Sequence, residues 1–389
     1  MPSLFCERAI ENASRYGNAL LKFVSPNDVG DTGGHQCGFY LPKTAYQMFT
    51  PYPPVKGSNS KHWVKIAWQD DRITSSVVTW YGTKTRSEYR LTRFGRDFPF
   101  LNSDTIGDLL VLIPKNEEEF FAYVLDLDED VEEIQSALGV EAFESWGIYR
   151  DGAPQIETSD ECIERHFRKI AQSLTSFPSG QHFSESARRA LDLCIRNFSS
   201  LVADDVLVAS MEAEYKLFRI VERQICQAEI TRLKKDVDDF LRTASSIMNR
   251  RKARAGRSLE NHVEFILSRE NIPFEMRPEI DGNPDIVIPS RAAYYDNSYP
   301  VEKLFIVGVK TTCKDRWRQV LNEGKRVAEK YIVTTQKGVS NNQLTEMKNA
   351  RLTLVVPRQL HKDYPRNPNI SVLDLEQFIA SIRCRLLDQ

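Results

Sequence analysis

The sequence predicts a multidomain protein in which an all-β N-terminal domain precedes a larger α/β domain. Three observations predict it. Residues from about 20 to 115 alternate apolar and polar side chains between turn signals. Residues from about 185 to 267 place apolar side chains at helical spacing, and residues 285 to 356 interleave short apolar runs with polar helical stretches. At 389 residues the chain is long enough for two domains, each with its own core. Its 41% hydrophobic and 27% charged content is ordinary for a soluble globular protein.

In the first domain, apolar-polar alternation appears in His62-Trp63-Val64-Lys65-Ile66-Ala67-Trp68 and again in Thr74 to Trp80, and each reads as a half-buried strand. The glycines of Asp31-Thr32-Gly33-Gly34-His35-Gln36 suggest a tight turn that presents polar side chains. Several such strands fit a pseudo-barrel or sandwich. An acidic helical patch follows from Asp126 to Glu133, then a turn at Asp151-Gly152-Ala153-Pro154. The interdomain segment falls between about 150 and 180. We take residues 1–165 as the first domain, 166–180 as the linker and 181–389 as the second domain.

The second domain opens with amphipathic helical patterns at 185–198 and 211–248, the latter one helix or two. A basic run follows (Arg250, Arg251, Lys252, Arg254, Arg257), then a helix over Ser258 to Leu267. Strands are expected at 285–288 and 304–309, a helix at about 315–330, and strands at 331–335 and 352–356. That order gives an α/β arrangement around a mixed sheet.

Composition removes several classes. No run approaches the roughly 20 apolar residues of a membrane span, and the N-terminus lacks a secretory pattern, so a cytoplasmic protein without a membrane partner is expected. The seven cysteines are scattered and odd in number, which fits reduced thiols, and no Cys-x-x-Cys pair suggests zinc. A net charge of −2 argues against nonspecific coating of nucleic acid but leaves room for local basic faces.

The residues with chemistry cluster late in the chain. Asp285 opens the apolar run Ile286-Val287-Ile288, and Lys310 closes Phe305-Ile306-Val307-Gly308-Val309. Each alone is weak, because strand-ending lysines are usually solvated and an aspartate after proline is common. Together they place a carboxylate and an ammonium at the ends of neighbouring strands. Such a pair can hold a divalent metal and orient a water beside a phosphodiester, the requirement for metal-dependent DNA hydrolysis. Hydrogen-bonding and cationic side chains follow in Thr311-Thr312-Cys313-Lys314-Asp315-Arg316-Trp317-Arg318. Asp315 and Glu323 lie a little over two helical turns apart, so both can share a helix face.

Over most of its length the chain resembles the EcoRII family of restriction endonucleases. The resemblance rests on Asn249 to Lys252, Arg254-Ala255-Gly256, Ser258-Leu259-Glu260, Pro284-Asp285, the run from Val309 to Gln319, Leu321-Asn322-Glu323, Leu354 to Pro357 and Leu360-His361-Lys362. In the first half it rests on Thr32 to Gln36, Gly38, Tyr40, Lys84-Thr85-Arg86, Glu88, Arg90, Thr92-Arg93 and Gly95-Arg96. It implies a B3-like DNA-binding pseudo-barrel followed by a restriction-endonuclease-like PD-(D/E)xK domain. The usual acidic residue two before the lysine is Gly308 here, and the family draws the missing carboxylate from Glu323.

The resemblance further implies Asp285 and Glu323 as Mg²⁺ ligands and Lys310 as the residue that positions or polarises the attacking water. Glu260 is expected to orient water or a second metal, and Tyr294 to serve packing or DNA contact rather than covalent chemistry. Lys314, Asp315 and Arg316 are expected to read adjacent G·C pairs, since Lys and Arg donate to guanine and a carboxylate accepts from cytosine. Arg250, Arg251, Lys252 and Arg254 are expected at phosphates, which positions a duplex without reading it. In the first domain, His35, Tyr40, Lys84, Arg86, Glu88 and Arg90 are the expected DNA-binding residues. The implied enzyme is a homodimer that cleaves double-stranded DNA at a CC(A/T)GG-like palindrome. Two copies of the site take part, one of them relieving autoinhibition, and a cognate cytosine methyltransferase belongs to the same system. The alternative is a sequence-specific regulator whose nuclease domain is inactive.

Overall fold

The structure is a computed structural model that describes residues 2–31, 37–83, 87–141, 146–151, 161–231, 236–365 and 372–387. It divides into two compact units. The first comprises Met1–Gln155, Gln336–Glu346 and Lys362–Ile370; the second comprises Ile156–Thr335, Met347–His361 and Ser371–Gln389. Two short late segments thus belong to the first unit, a grouping that no local pattern announces. Within that unit Asn342 Nδ2 donates to Asp104 Oδ1 at 2.7 Å.

The first unit begins with helix α1 (Leu4–Tyr16), capped by the Ser3 hydroxyl, which accepts from the Cys6 amide, and closed by Gly17 in the left-handed region. Strand β1 (Asn18–Phe23), helix α2 (Pro26–Val29) and strands β2 (Phe39–Leu41), β3 (Asn59–Trp68), β4 (Ile73–Tyr81) and β5 (Glu88–Thr92) follow. Strands β6 (Leu109–Pro114) and β7 (Glu119–Leu125), helix α3 (Asp128–Leu138) and strand β8 (Trp146–Arg150) complete it. The eight strands form one sheet in the order β2-β5-β4-β3-β7-β6-β1-β8, antiparallel except for β3 beside β7. The β region therefore reaches residue 150, well past the expected end near 115. Alternation sends Leu20, Val64, Ile66, Trp68, Leu110 and Leu112 into one core, together with Phe94, Phe39 and Tyr89. It sends Ala19, Leu21, Leu109, Val111 and Ile113 to the opposite face, against Cys6, Ala9, Val131 and Ile134 of α1 and α3. With both faces covered, β1 and β6 read as continuous apolar runs rather than alternating ones.

The second unit opens with four helices, α4 (Glu161–Ser173), α5 (Gly180–Cys194), α6 (Ala203–Thr231) and α7 (Val237–Arg269). Helix α4 occupies much of what the sequence suggested was linker. The long 211–248 pattern resolves into two helices, and the basic run and the expected 258–267 helix are both part of α7. Then come β9 (Glu275–Met276), β10 (Ile286–Ile288), α8 (Arg291–Tyr295), β11 (Phe305–Lys310), α9 (Trp317–Val320), β12 (Lys330–Thr334) and β13 (Leu352–Val355). The sheet order is β13-β12-β11-β10-β9, with β11, β12 and β13 parallel and β9, β10 and β11 antiparallel. The C-terminal helix Leu375–Leu387 packs Phe378 against Phe305 and Tyr331.

The helix expected at 315–330 is four residues long, because Asp281 captures the amides that would continue it. Gly324 N donates to the Asp281 carbonyl at 2.7 Å and Lys325 N to Asp281 Oδ2 at 2.6 Å. Asp315 and Glu323 therefore do not share a helix face. Cys162 and Cys194, expected as reduced thiols, are joined in a disulfide, because the packing of α4 on α5 brings their Cα atoms to 5.8 Å.

Candidate active site

Strand β10 pairs with β11 so that Ile286 faces Val307, which brings the residue before β10 beside the last residues of β11. Asp285 Oδ2 accepts from the Val309 amide at 2.7 Å and from Lys310 Nζ at 2.7 Å. Both side chains are partly exposed, at 22% for Lys310 and 17% for Asp285, so the pair lies within reach of a substrate. The strand ends thus create an ion pair whose acid is fixed by a backbone amide.

Gly308 shows why this strand carries no second acid. A Cβ built there would lie 2.8 Å from Val320 Cγ2 of α9. The space that a carboxylate would need is filled by α9 packing on the strand. Glu323, in the turn after α9, enters the same electrostatic neighbourhood by another route. Its side chain is buried, and Oε2 has no hydrogen-bond partner. Burial first, and Asp285 second, push its carboxyl up to about 7, while Lys310 and Lys330 oppose the shift.

The turn is held by Tyr294, expected to serve packing or DNA contact, and by Gly282, Lys330 and Arg326, which the sequence does not single out. Gly282 has a left-handed φ of 79°, and a Cβ there would lie 2.6 Å from Glu323 Cα, so glycine is what lets the two loops touch. Buried Lys330 donates from Nζ to the carbonyl of Gly324 at 2.7 Å and to that of Val327. Tyr294 donates its hydroxyl to Asp281 and accepts from Arg326 N at 3.1 Å, and Arg326 Nη2 donates to the Tyr299 carbonyl at 2.7 Å. The Asp281-Gly282 pair was a readable turn signal; the partners of Lys330 were not, because they depend on the path of the turn.

An unpartnered, buried carboxylate oxygen beside a second carboxylate fits a divalent cation. A bound divalent ion would offset the burial of the Glu323 carboxylate, and the donors present are hard oxygens. Asp285, whose Oδ2 is used by the amide and the lysine, and Glu323 are the residues that would hold it.

The other expected residues fall in several places. Glu260 of α7 pairs with Arg277, whose amide donates to the Asp285 carbonyl at 2.7 Å, so it connects to the centre through that arginine. Tyr294 is buried in the network above, its hydroxyl pushed up to about 12 by burial and Asp281. Lys314 is buried, Asp315 is exposed, and Arg316 donates to Thr312 Oγ1 at 2.6 Å. Arg254, expected at a phosphate, is buried, with its guanidinium 5.4 Å from the Tyr215 ring centre and 5.3 Å from that of Phe218. Arg250 and Arg251 reach Glu229 and Glu222 of α6 at 2.7 Å each, which joins α7 to α6, while Lys252 is exposed.

In the first unit, β2 and β5 set Tyr40 directly opposite Arg90, and Arg90 Nε lies 3.6 Å from Glu88. Tyr40 is exposed, and its amide donates to the buried Asp28 at 2.6 Å. His35, Lys84 and Arg86 lie outside the described residues.

Comparison with known proteins matches both halves. Residues 218–379 match the family described as EcoRII C terminal, and residues 14–142 the family described as Restriction endonuclease EcoRII, N-terminal. The type II restriction enzyme EcoRII of Escherichia coli is 32% identical over 400 residues, covering 98% of this chain and 97% of that protein. The type II restriction enzyme SsoII of Shigella sonnei is 25% identical over 143 residues, 34% of this chain and 46% of that one. A solved structure of metal-depleted Ecl18kI with uncleaved, modified DNA is 20% identical, covers 59% of this chain and 85% of its own, and has a TM-score of 0.46. On its full-length identity and its two matching halves, the chain belongs to the EcoRII family and is a type II restriction endonuclease.

Proposed function

We propose that the enzyme hydrolyses both strands of a CC(A/T)GG-like palindrome with Mg²⁺, using Asp285 and Glu323 as ligands and Lys310 beside the attacked phosphate. The observation that carries this reading is the Lys310–Asp285 pair coupled to a buried Glu323 with one unpartnered oxygen. Mg²⁺ suits the site because it binds few carboxylates and keeps several waters. When bound, it neutralises phosphate charge and makes a water a better nucleophile. The Val309 amide holds the Asp285 carboxylate in place, and the Lys310 ammonium orients a water or a phosphate oxygen through donors that Asp285 does not use.

Lys314, Asp315 and Arg316 supply the base contacts in this reading. Lys314 is buried here, so it has to be uncovered before it meets a guanine. A palindromic site implies a two-fold dimer. Val237, Phe240 and Leu241, exposed together at the start of α7, support a self-complementary apolar surface. We assign residues 1–165 as a B3-like effector domain in which Tyr40, Glu88 and Arg90, with His35, Lys84 and Arg86, bind a second copy of the site and relieve autoinhibition. A cytosine methyltransferase of matching specificity would protect the host, and the enzyme would work in the cytoplasm. Digestion of genomic DNA with and without Mg²⁺, followed by sequencing of the fragment ends, tests the reading. Ends at one short palindrome only when Mg²⁺ is present support it; ends set by DNA structure, or no cutting, contradict it.

A further inference from the structure

Among the described residues, one group of three soft metal-ligating side chains lies apart from the catalytic carboxylates. Cys162, His166 and Cys194 have ligand atoms all within 4.8 Å of one another, and each is half-buried. Cys162 and His166 are four residues apart on α4, so they stack on one helix face. Cys194 is the last residue of α5, the helix that packs against α4.

We infer that in the reduced protein these three side chains form a zinc-class metal site, distinct from the catalytic centre and independent of the reading given for it. Two thiolates and an imidazole are the donors that Zn²⁺ prefers, and they are poor ligands for Mg²⁺. The fourth tetrahedral position falls to water. A disulfide uses only two sulfurs and has no use for His166. An imidazole one helical turn from the first cysteine completes a ligand set instead.

The Cys162–Cys194 bond is the oxidised, closed form of the same site. Opening it takes two electrons. A phosphine reductant and water supply the balance: the phosphine becomes its oxide, and the water provides that oxygen and the two thiol protons. Zn²⁺ then binds both sulfurs as thiolates and releases those protons, with neutral imidazole as third ligand. Either form fastens α4 to α5, but only the metal form makes that attachment depend on His166. Helix α4 has a second anchor, since Gln224 of α6 donates to the Ala171 carbonyl at 2.9 Å, so it does not rely on this site alone to stay docked.

The test is zinc binding by the full-length protein, followed by metal analysis after gel filtration and by the thiolate-to-cobalt charge-transfer band on Co²⁺ substitution. With phosphine reductant we expect one tightly held zinc per chain and the cobalt band. After diamide oxidation we expect neither. His166→Ala, or the milder His166→Gln, weakens binding by about 10-fold or more, a loss that even an outer partner of a ligand can produce. Cys162→Ser does the same, while Cys37→Ser leaves binding unchanged. Reduced protein that holds no zinc overturns the inference. So does zinc retained equally by the His166 variants, or lost in Cys37→Ser.

Discussion

Lys330 Nζ donates to the Gly324 carbonyl at 2.7 Å, so the first residue of β12 holds the residue that follows Glu323, the acid proposed as a metal ligand. Its side chain is almost entirely inside the protein, and burial lowers its ammonium to about 8 against the opposing pull of Asp281 and Glu323. A buried cation is costly unless it is hydrogen-bonded. Here it satisfies two carbonyls of the turn and faces the acid that the turn presents.

Lys330→Met should therefore impair catalysis without touching substrate. Freed from its tie, the turn lets Glu323 drift, and a displacement of about 1 Å costs on the order of 100-fold in rate. We expect kcat to fall by roughly that factor, with DNA affinity in Ca²⁺ little changed and a weaker Mg²⁺ requirement curve. A wild-type kcat in a folded Lys330→Met protein contradicts the positioning role.

The raised carboxyl of Glu323 makes stability depend on pH in a defined direction. Between its ordinary 4.5 and about 7 the native, metal-free protein holds a proton that the unfolded chain has lost. Stability therefore falls as pH rises through that window, and the deficit is complete above it. Glu323→Gln removes the buried charge. In urea at pH 8 without divalent ions it should exceed wild type by on the order of 2 kcal/mol, and at pH 4 the two should coincide. Mg²⁺ should stabilise wild type at pH 8 but not the variant. Equal stabilities at pH 8 would remove the argument for an uncompensated buried acid.

How much of this was legible follows from which contacts are local. Asp285 opens one apolar run and Lys310 closes another, so sequence alone places them at strand ends. The turn that holds Glu323 reads as helix in the sequence and is a turn because Asp281, more than 40 residues upstream, takes the amides of Gly324 and Lys325. In sequence the basic run at 250–257 reads as one phosphate-facing surface. On α7 it is split: Arg254 turns inward onto Tyr215 and Phe218, while Arg250 and Arg251 answer Glu229 and Glu222, which lie seven residues apart on α6. Two helices have to be docked before such a division can be read. The cysteine pairing is of the same kind, since nothing in the spacing of Cys162 and Cys194 brings α4 beside α5.

The apolar start of α7 leads to a prediction about assembly. Phe240 and Leu241 are 56% and 54% exposed, unusual for side chains of that size. Phe240→Asp with Leu241→Lys should shift the protein toward monomer in analytical ultracentrifugation and slow double-strand cleavage more than nicking. An unchanged sedimentation profile contradicts the self-association proposed for this surface.

Deleting residues 1 to about 175 tests the control assigned to the first domain. The remaining enzyme should cut DNA bearing a single site faster than the full chain does, because occupancy of a second site is no longer required. Equal or slower cutting by a folded truncation argues against autoinhibition.

In the function proposed, Asp285 and Glu323 hold a catalytic divalent ion beside Lys310. The most direct test is Mn²⁺ titration by calorimetry of the DNA-bound enzyme, run in parallel with cleavage, for wild type, Asp285→Asn, Glu323→Gln and Lys310→Ala. Both carboxylate variants should lose the ion and cutting while DNA binding persists, and Lys310→Ala should retain the ion but not cut. Near-normal ion binding and cleavage in either carboxylate variant would contradict the proposal.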